Sequence, residues 1–170
     1  MELVKKRPLS EYIYYTAIIL SVIALDVITK VLTVEFIGYG ENIPFIKGLL
    51  SFSHIHNRGA AWGMLAGSRW VFLIISSLTI IAVALYVYLG HTQNKLYGTA
   101  LSMIAAGGIG NMIDRIALGF VIDFIRVDFI DFPVFNIADT FVCIGAGHLI
   151  LALVREMIEE SKKQKGKGKK

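Results

Sequence analysis

Asp26, Asp114, Asp123 and Asp139 are carboxylates set in otherwise apolar sequence, and carboxylates in such places are suited to moving protons. Brought within a few ångströms, two of them cannot both ionise cheaply, so the pair shares one proton and offers a base and an acid together. The amides Asn57, Asn111 and Asn136 and the cations Lys30 and Arg115 fall in the same regions. Of these, Asn57, Asn111, Asn136 and Arg115 could offer donors to a substrate backbone or to a developing oxyanion. Spacing alone leaves open which of the four acids would pair.

Each residue also has a plainer reading. Asp26 and Lys30 are four apart on one helix face, where they can pair while Lys30 snorkels to the interface. Asp139 can cap a helix, and Asp123 can be a solvated charge on a strand edge. Gly107, Gly108 and Gly110 suit close helix packing, although bare backbone there would also admit a peptide. His54 and His56 alternate onto one strand face, a spacing that could bind metal, but no HExxH or neighbouring carboxylate motif accompanies them and no metal site is expected. His148 reads as a hydrogen-bonded helix contact. The single Cys143 excludes an intrachain disulfide and reads as packing.

The elements that would position these groups follow from hydropathy. Of 170 residues 55% are hydrophobic and 18% charged, which points to a membrane protein. A span needs about 20 apolar residues, so the chain has room for roughly four. Spans are expected at about 12–34, 70–90, 96–115 and 139–157 within a single domain over 1–160, followed by a disordered basic tail at 161–170. The first run is too long for a signal-peptide core and lacks a small-x-small cleavage site. Lys5, Lys6, Arg7 and the Lys-rich tail place both termini in the cytoplasm and suit anionic lipid. The tail carries no interleaved aromatics, which argues against nucleic-acid binding.

Two outer segments remain, at about 35–69 and 116–138. Leu49 to Asn57 and Gly119 to Phe132 are strand-like, and Arg58 to Ser68 reads as a short interfacial or re-entrant helix. The expected fold is an all-α membrane protein with four transmembrane helices, a small extracytoplasmic β-sheet and a short interfacial helix. At 1.5 Å per residue, Asp26 lies about 21 Å beyond Tyr12, and Asn111 about 22 Å beyond Leu96. Asp114 and Arg115 end the third span, and Asn136 and Asp139 open the fourth. The polar groups thus map to one layer near the outer face, and ionisable groups at membrane depth mark a site.

Five stretches carry a resemblance: DVITK (Asp26 to Lys30), NRGAAWG (Asn57 to Gly63), GGIGNMIDR (Gly107 to Arg115), VIDF (Val121 to Phe124) and FNIAD (Phe135 to Asp139). In this order they resemble the signature blocks of the lipoprotein signal peptidases. The resemblance implies an aspartic endopeptidase of the bacterial cytoplasmic membrane that cleaves prolipoproteins before a diacylglyceryl-modified cysteine. It implies Asp123 and Asp139 as the catalytic pair. Asn57, Gly59, Gly108, Asn111, Arg115 and Asn136 become pocket or backbone-holding residues, and Asp26, Lys30 and Asp114 polar supports. The implied partners are the prolipoprotein and membrane lipids, with no cofactor, no metal, no nucleic acid and a monomeric chain. Two alternatives are a proton-coupled transporter and a non-enzymatic lipoprotein assembly factor docking through the outer sheet and the Trp62 segment.

Overall fold

The structure is a computed structural model that describes residues 7–59, 64–65, 67–89 and 94–167. Helices α1 (Leu9–Phe36), α2 (Arg69–Tyr88), α3 (Lys95–Ala117) and α4 (Ile137–Lys167) form a bundle. Strands β1 (Asn42–Ile46), β2 (Leu50–Asn57) and β3 (Val121–Val127) form an antiparallel sheet in that order. All four helices are long and apolar enough to cross a membrane.

Polar contacts fix the helix directions. Thr16 meets the Tyr88 hydroxyl, Lys95 approaches Glu11 and Tyr97 donates to Glu156, so these four ends share one side. Asp26 lies 17 residues into α1 and Asn111 16 residues into α3, about 24–26 Å from those ends at the helical rise. The polar layer therefore sits at the end of the bundle away from both termini.

The bundle is apolar outward and partly polar inward. In α1 the buried stripe is Tyr15, Val22, Asp26, Lys30 and Thr33, whereas Leu20 and Ile28 are exposed where lipid would lie. Helix α3 is central, packing on α1, α2 and α4, and small residues let it approach them closely. A β-carbon on Gly107 would stand 2.3 Å from the Ala138 carbonyl oxygen, and one on Gly110 would stand 2.6 Å from an Asp26 carboxylate oxygen. Gly107→Ala should therefore force α3 and α4 apart and cost about 1–3 kcal/mol in detergent unfolding. Gly108→Ala should be tolerated, because its added carbon would meet only Ile80, at 3.7 Å.

The strand-like stretches form β2 and β3. β1 was not expected: all five of its residues are exposed, and its sequence NIPFI contains Pro44, tolerated here because β1 is an edge strand. A bulge in β2 sets the register. Phe52 pairs with Ile125 and Ile55 with Asp123, so β2 spends three steps where β3 spends two. Unbroken pairing would put His54 opposite Asp123. The extra residue instead brings Ile55 there and pairs Asn57 with Val121, placing Asn57 on the face of Asp123.

One expectation, the short interfacial helix, lies partly outside the described residues, and another changes. No helix is assigned to the described residues between Arg58 and Ser68, where Leu65 and Gly67 sit in turns, while 60–63, Trp62 included, and 66 lie outside the described residues. The basic tail is not structureless from 161, since α4 continues to Lys167.

Candidate active site

Asn136 organises the opening of α4. Its side-chain oxygen accepts from the Asp139 backbone N–H at 2.9 Å, while an Asp139 carboxylate oxygen accepts from the Asn136 N–H at 3.2 Å. This reciprocal pair has the logic of a capping box, with Asn136 as the cap and Asp139 three residues on. The reading of Asp139 as the cap itself is thereby corrected. The arrangement locks the Asp139 rotamer and leaves its other oxygen, Oδ1, to accept from Asn111 Nδ2 at 2.7 Å.

Asp123 is reached from the sheet. It is buried, 2% exposed, and not a solvated edge charge. Asn57 Nδ2 donates to one of its oxygens at 2.8 Å and Asn136 Nδ2 to the other at 2.7 Å. Asn136 also donates to Asn111 Oδ1 at 3.0 Å, so Asn136 and Asn111 connect the two aspartates in one amide network, while Asn57 holds Asp123 from the sheet. Burial, and then the Asp139 charge, push the Asp123 carboxyl up to about 7.

Asp26 and Asp114 are committed elsewhere. Lys30 does not snorkel; it turns inward, 2% exposed, and its ammonium lies 2.8 Å from Asp26, 2.9 Å from Asp114 and 3.3 Å from Asn111 Oδ1. Its three donors thus meet three acceptors. The two carboxylates hold backbone as well. Asp26 accepts from the Ala138 N–H at 2.9 Å and Asp114 from the Ile122 N–H at 3.0 Å. Ala138 immediately precedes Asp139 and Ile122 immediately precedes Asp123. One buried ion triad therefore holds the backbone beside both acids.

Asp123 and Asp139 line a cavity of about 540 Å³ with Asn57, Gly59, Asn111 and Arg115. The Arg115 guanidinium donates to the Gly59 carbonyl at 3.2 Å and lies 4.6 Å from the centre of the Phe72 ring. The rest of the wall is largely apolar. Sequence reasoning missed Phe72, Thr140, Cys143, Ile144 and the segment Phe132 to Phe135. Helical spacing from Asp139 was a usable signal for Thr140, Cys143 and Ile144. Cys143 is exposed rather than a packing residue. Gly108 does not line the cavity; it faces Ile80 on α2. His148 makes the expected helix contact, to the Ile144 carbonyl.

A membrane bundle with two acids joined by amides in an apolar-walled cavity defines a polytopic membrane hydrolase candidate. Comparison with known proteins makes this specific. Residues 18–155 match the family model for signal peptidase (SPase) II. The chain is 39% identical over 155 residues to the lipoprotein signal peptidase of Halalkalibacterium halodurans, covering 90% of this chain and 98% of that one. It is 35% identical to that of Enterococcus faecalis, over 91% of this chain and 94% of that one. A bacterial membrane enzyme solved by the in meso method at 2.3 Å superposes with a TM-score of 0.81 at 34% identity, covering 85% of this chain and 89% of that one. The chain belongs to the signal peptidase II family and is a membrane-embedded protease.

Proposed function

We propose that this chain removes signal peptides from diacylglyceryl-modified prolipoproteins, cutting before the lipidated cysteine, with Asp123 and Asp139 as an aspartic catalytic pair. The observation that carries this reading is the division of labour among four candidate acids. Asp26 and Asp114 are taken up by Lys30, while Asp123 and Asp139 line the cavity.

Asp123, raised to about 7, holds the shared proton, and ionised Asp139 is the base. Asp139 takes a proton from water as the water oxygen bonds to the scissile carbonyl carbon, and Asp123 gives its proton to the carbonyl oxygen. Asp139 then passes its proton to the amide nitrogen as the C–N bond breaks. Asp123 recovers a proton from the gem-diol, leaving a carboxylic acid on the signal peptide and a free amine on the lipidated cysteine. Arg115 and the three asparagines bind the backbone around the reacting carbon.

The positive ends support a topology with both termini in the cytoplasm and the catalytic layer at the outer face. There the signal helix can lie beside the spans while the diacyl chains stay in lipid.

The test is cleavage of purified prolipoprotein in detergent. The acylated substrate should be cut and the same chain without diacylglycerol should not, and EDTA should leave turnover unchanged. Equal cleavage of both substrates, or inhibition by EDTA, would overturn the reading. The pH profile gives a further expectation. Loss of the shared proton removes the acid, so kcat/KM should fall about tenfold per unit as pH rises beyond about 7. A profile flat from neutral pH through two further units would remove Asp123 from that role.

A further inference from the structure

The two histidines of β2 take no part in the site above. The bulge pairs His56 with Ile122, on the sheet face opposite Asp123 and Asn57. There the two rings are held by packing and by hydrogen bonds. His54 is 5% exposed, and its Nδ1 lies 2.9 Å from the Ile37 carbonyl oxygen. A carbonyl only accepts, so Nδ1 carries the proton and Nε2 presents a lone pair. That lone pair faces His56 Nε2 at 3.2 Å. The His56 ring stacks on Phe120 at 3.8 Å and lies 4.4 Å from the Tyr39 ring, centroid to centroid.

The spacing admits two occupants. One is a proton, with His56 Nε2–H donating to His54. The other is a metal ion: bonds of about 2.0–2.1 Å at a tetrahedral angle set two ligand nitrogens about 3.3–3.4 Å apart. The His54 Nδ1–H to carbonyl contact is the support that metal-bound histidines ordinarily have.

We propose that His54 and His56 form a site for divalent copper or zinc, on the side of the sheet away from the catalytic pair. Binding moves the His56 proton from Nε2 to Nδ1, so both rings stay neutral and both Nε2 lone pairs go to the ion. Among the described residues no cluster of three His, Cys, Asp or Glu groups forms, so water fills the other positions and the ion exchanges readily. Copper binds more tightly than zinc, following the usual order for nitrogen ligands.

Tag-free, full-length protein in detergent would be titrated with Cu²⁺ and followed by electron paramagnetic resonance, and its thermal unfolding measured with and without Zn²⁺. Wild type should show a saturable copper signal with coupling to two nitrogens and a Tm raised by zinc. His56→Gln should weaken copper binding by more than about 100-fold and lose the zinc effect. His148→Gln and Asp123→Asn should retain both. Unchanged binding in His56→Gln, or loss of binding in Asp123→Asn instead, overturns the proposal. Should His56→Gln fail to fold, histidine modification of wild type by diethyl pyrocarbonate decides. Zinc is expected to protect His54 and His56, and no protection sinks the site.

Discussion

Asp123→Asn and Asp139→Asn should each lower turnover of diacylglyceryl prolipoprotein by roughly 10³-fold or more, while leaving a folded protein in detergent. General acid–base groups typically contribute 10²–10⁴-fold, and about 4 kcal/mol of barrier corresponds to three decades. In the proposed mechanism the two acids act as a unit, so the double variant should be little slower than either single one. Folding should suffer less than catalysis. Asn at 123 presents an acceptor to Asn136 or to Asn57 but not to both, since each donates an N–H to the carboxylate. One mismatched buried pair costs about 1–3 kcal/mol. Single-turnover cleavage measured beside a thermal melt separates the effects. Turnover near wild type in either variant would remove that residue from the pair, and loss of activity only in proportion to loss of folded protein would make its role structural.

Much of this fold can be read in the sequence because membrane burial imposes a coarse rule. Runs of about 20 apolar residues must be spanning helices, and polar groups that interrupt them must turn toward protein or water. The layer containing Asp26, Asn111, Asp114 and Asp139 follows from helical rise. Its wiring does not. Whether Lys30 snorkels outward or pairs inward depends on what faces it from α3, and Asp114 and Asn111 are more than eighty residues away in sequence. The bulge in β2 is likewise invisible, because LLSFSHIHN alternates weakly enough to suit either register. That one-residue slip decides whether a histidine or Asn57 shares the face of Asp123. The capping box could have been found: N-x-x-D at Asn136 and Asp139 has the right spacing just before an apolar run. Choosing two of four acids needed the family resemblance at the level of sequence, whereas in the structure the ion triad separates them.

Lys30→Met should be the most destabilising single change in the bundle. It leaves Asp26 and Asp114 buried without their shared cation, and removing one partner of a buried ion pair costs about 3–5 kcal/mol. Two anions are orphaned here rather than one, so the upper part of that range is expected. Activity should fall further than folded fraction, since the freed carboxylates can no longer be held against the Ala138 and Ile122 N–H groups that precede the two acids. The triple variant Asp26→Asn, Lys30→Met, Asp114→Asn distinguishes charge from shape. Each introduced amide oxygen can still accept from its backbone N–H, and no buried charge remains, so most of the lost stability should return. Turnover should return only in part, because Asn111 Oδ1 has still lost its Lys30 donor and Asn111 orients Asp139. Unfolding in SDS titrations, read with single-turnover cleavage, provides both quantities. A Lys30→Met protein as stable as wild type would mean that the triad does not clamp the site. A triple variant no better than Lys30→Met would mean that the lysine matters for its packing rather than for its charge.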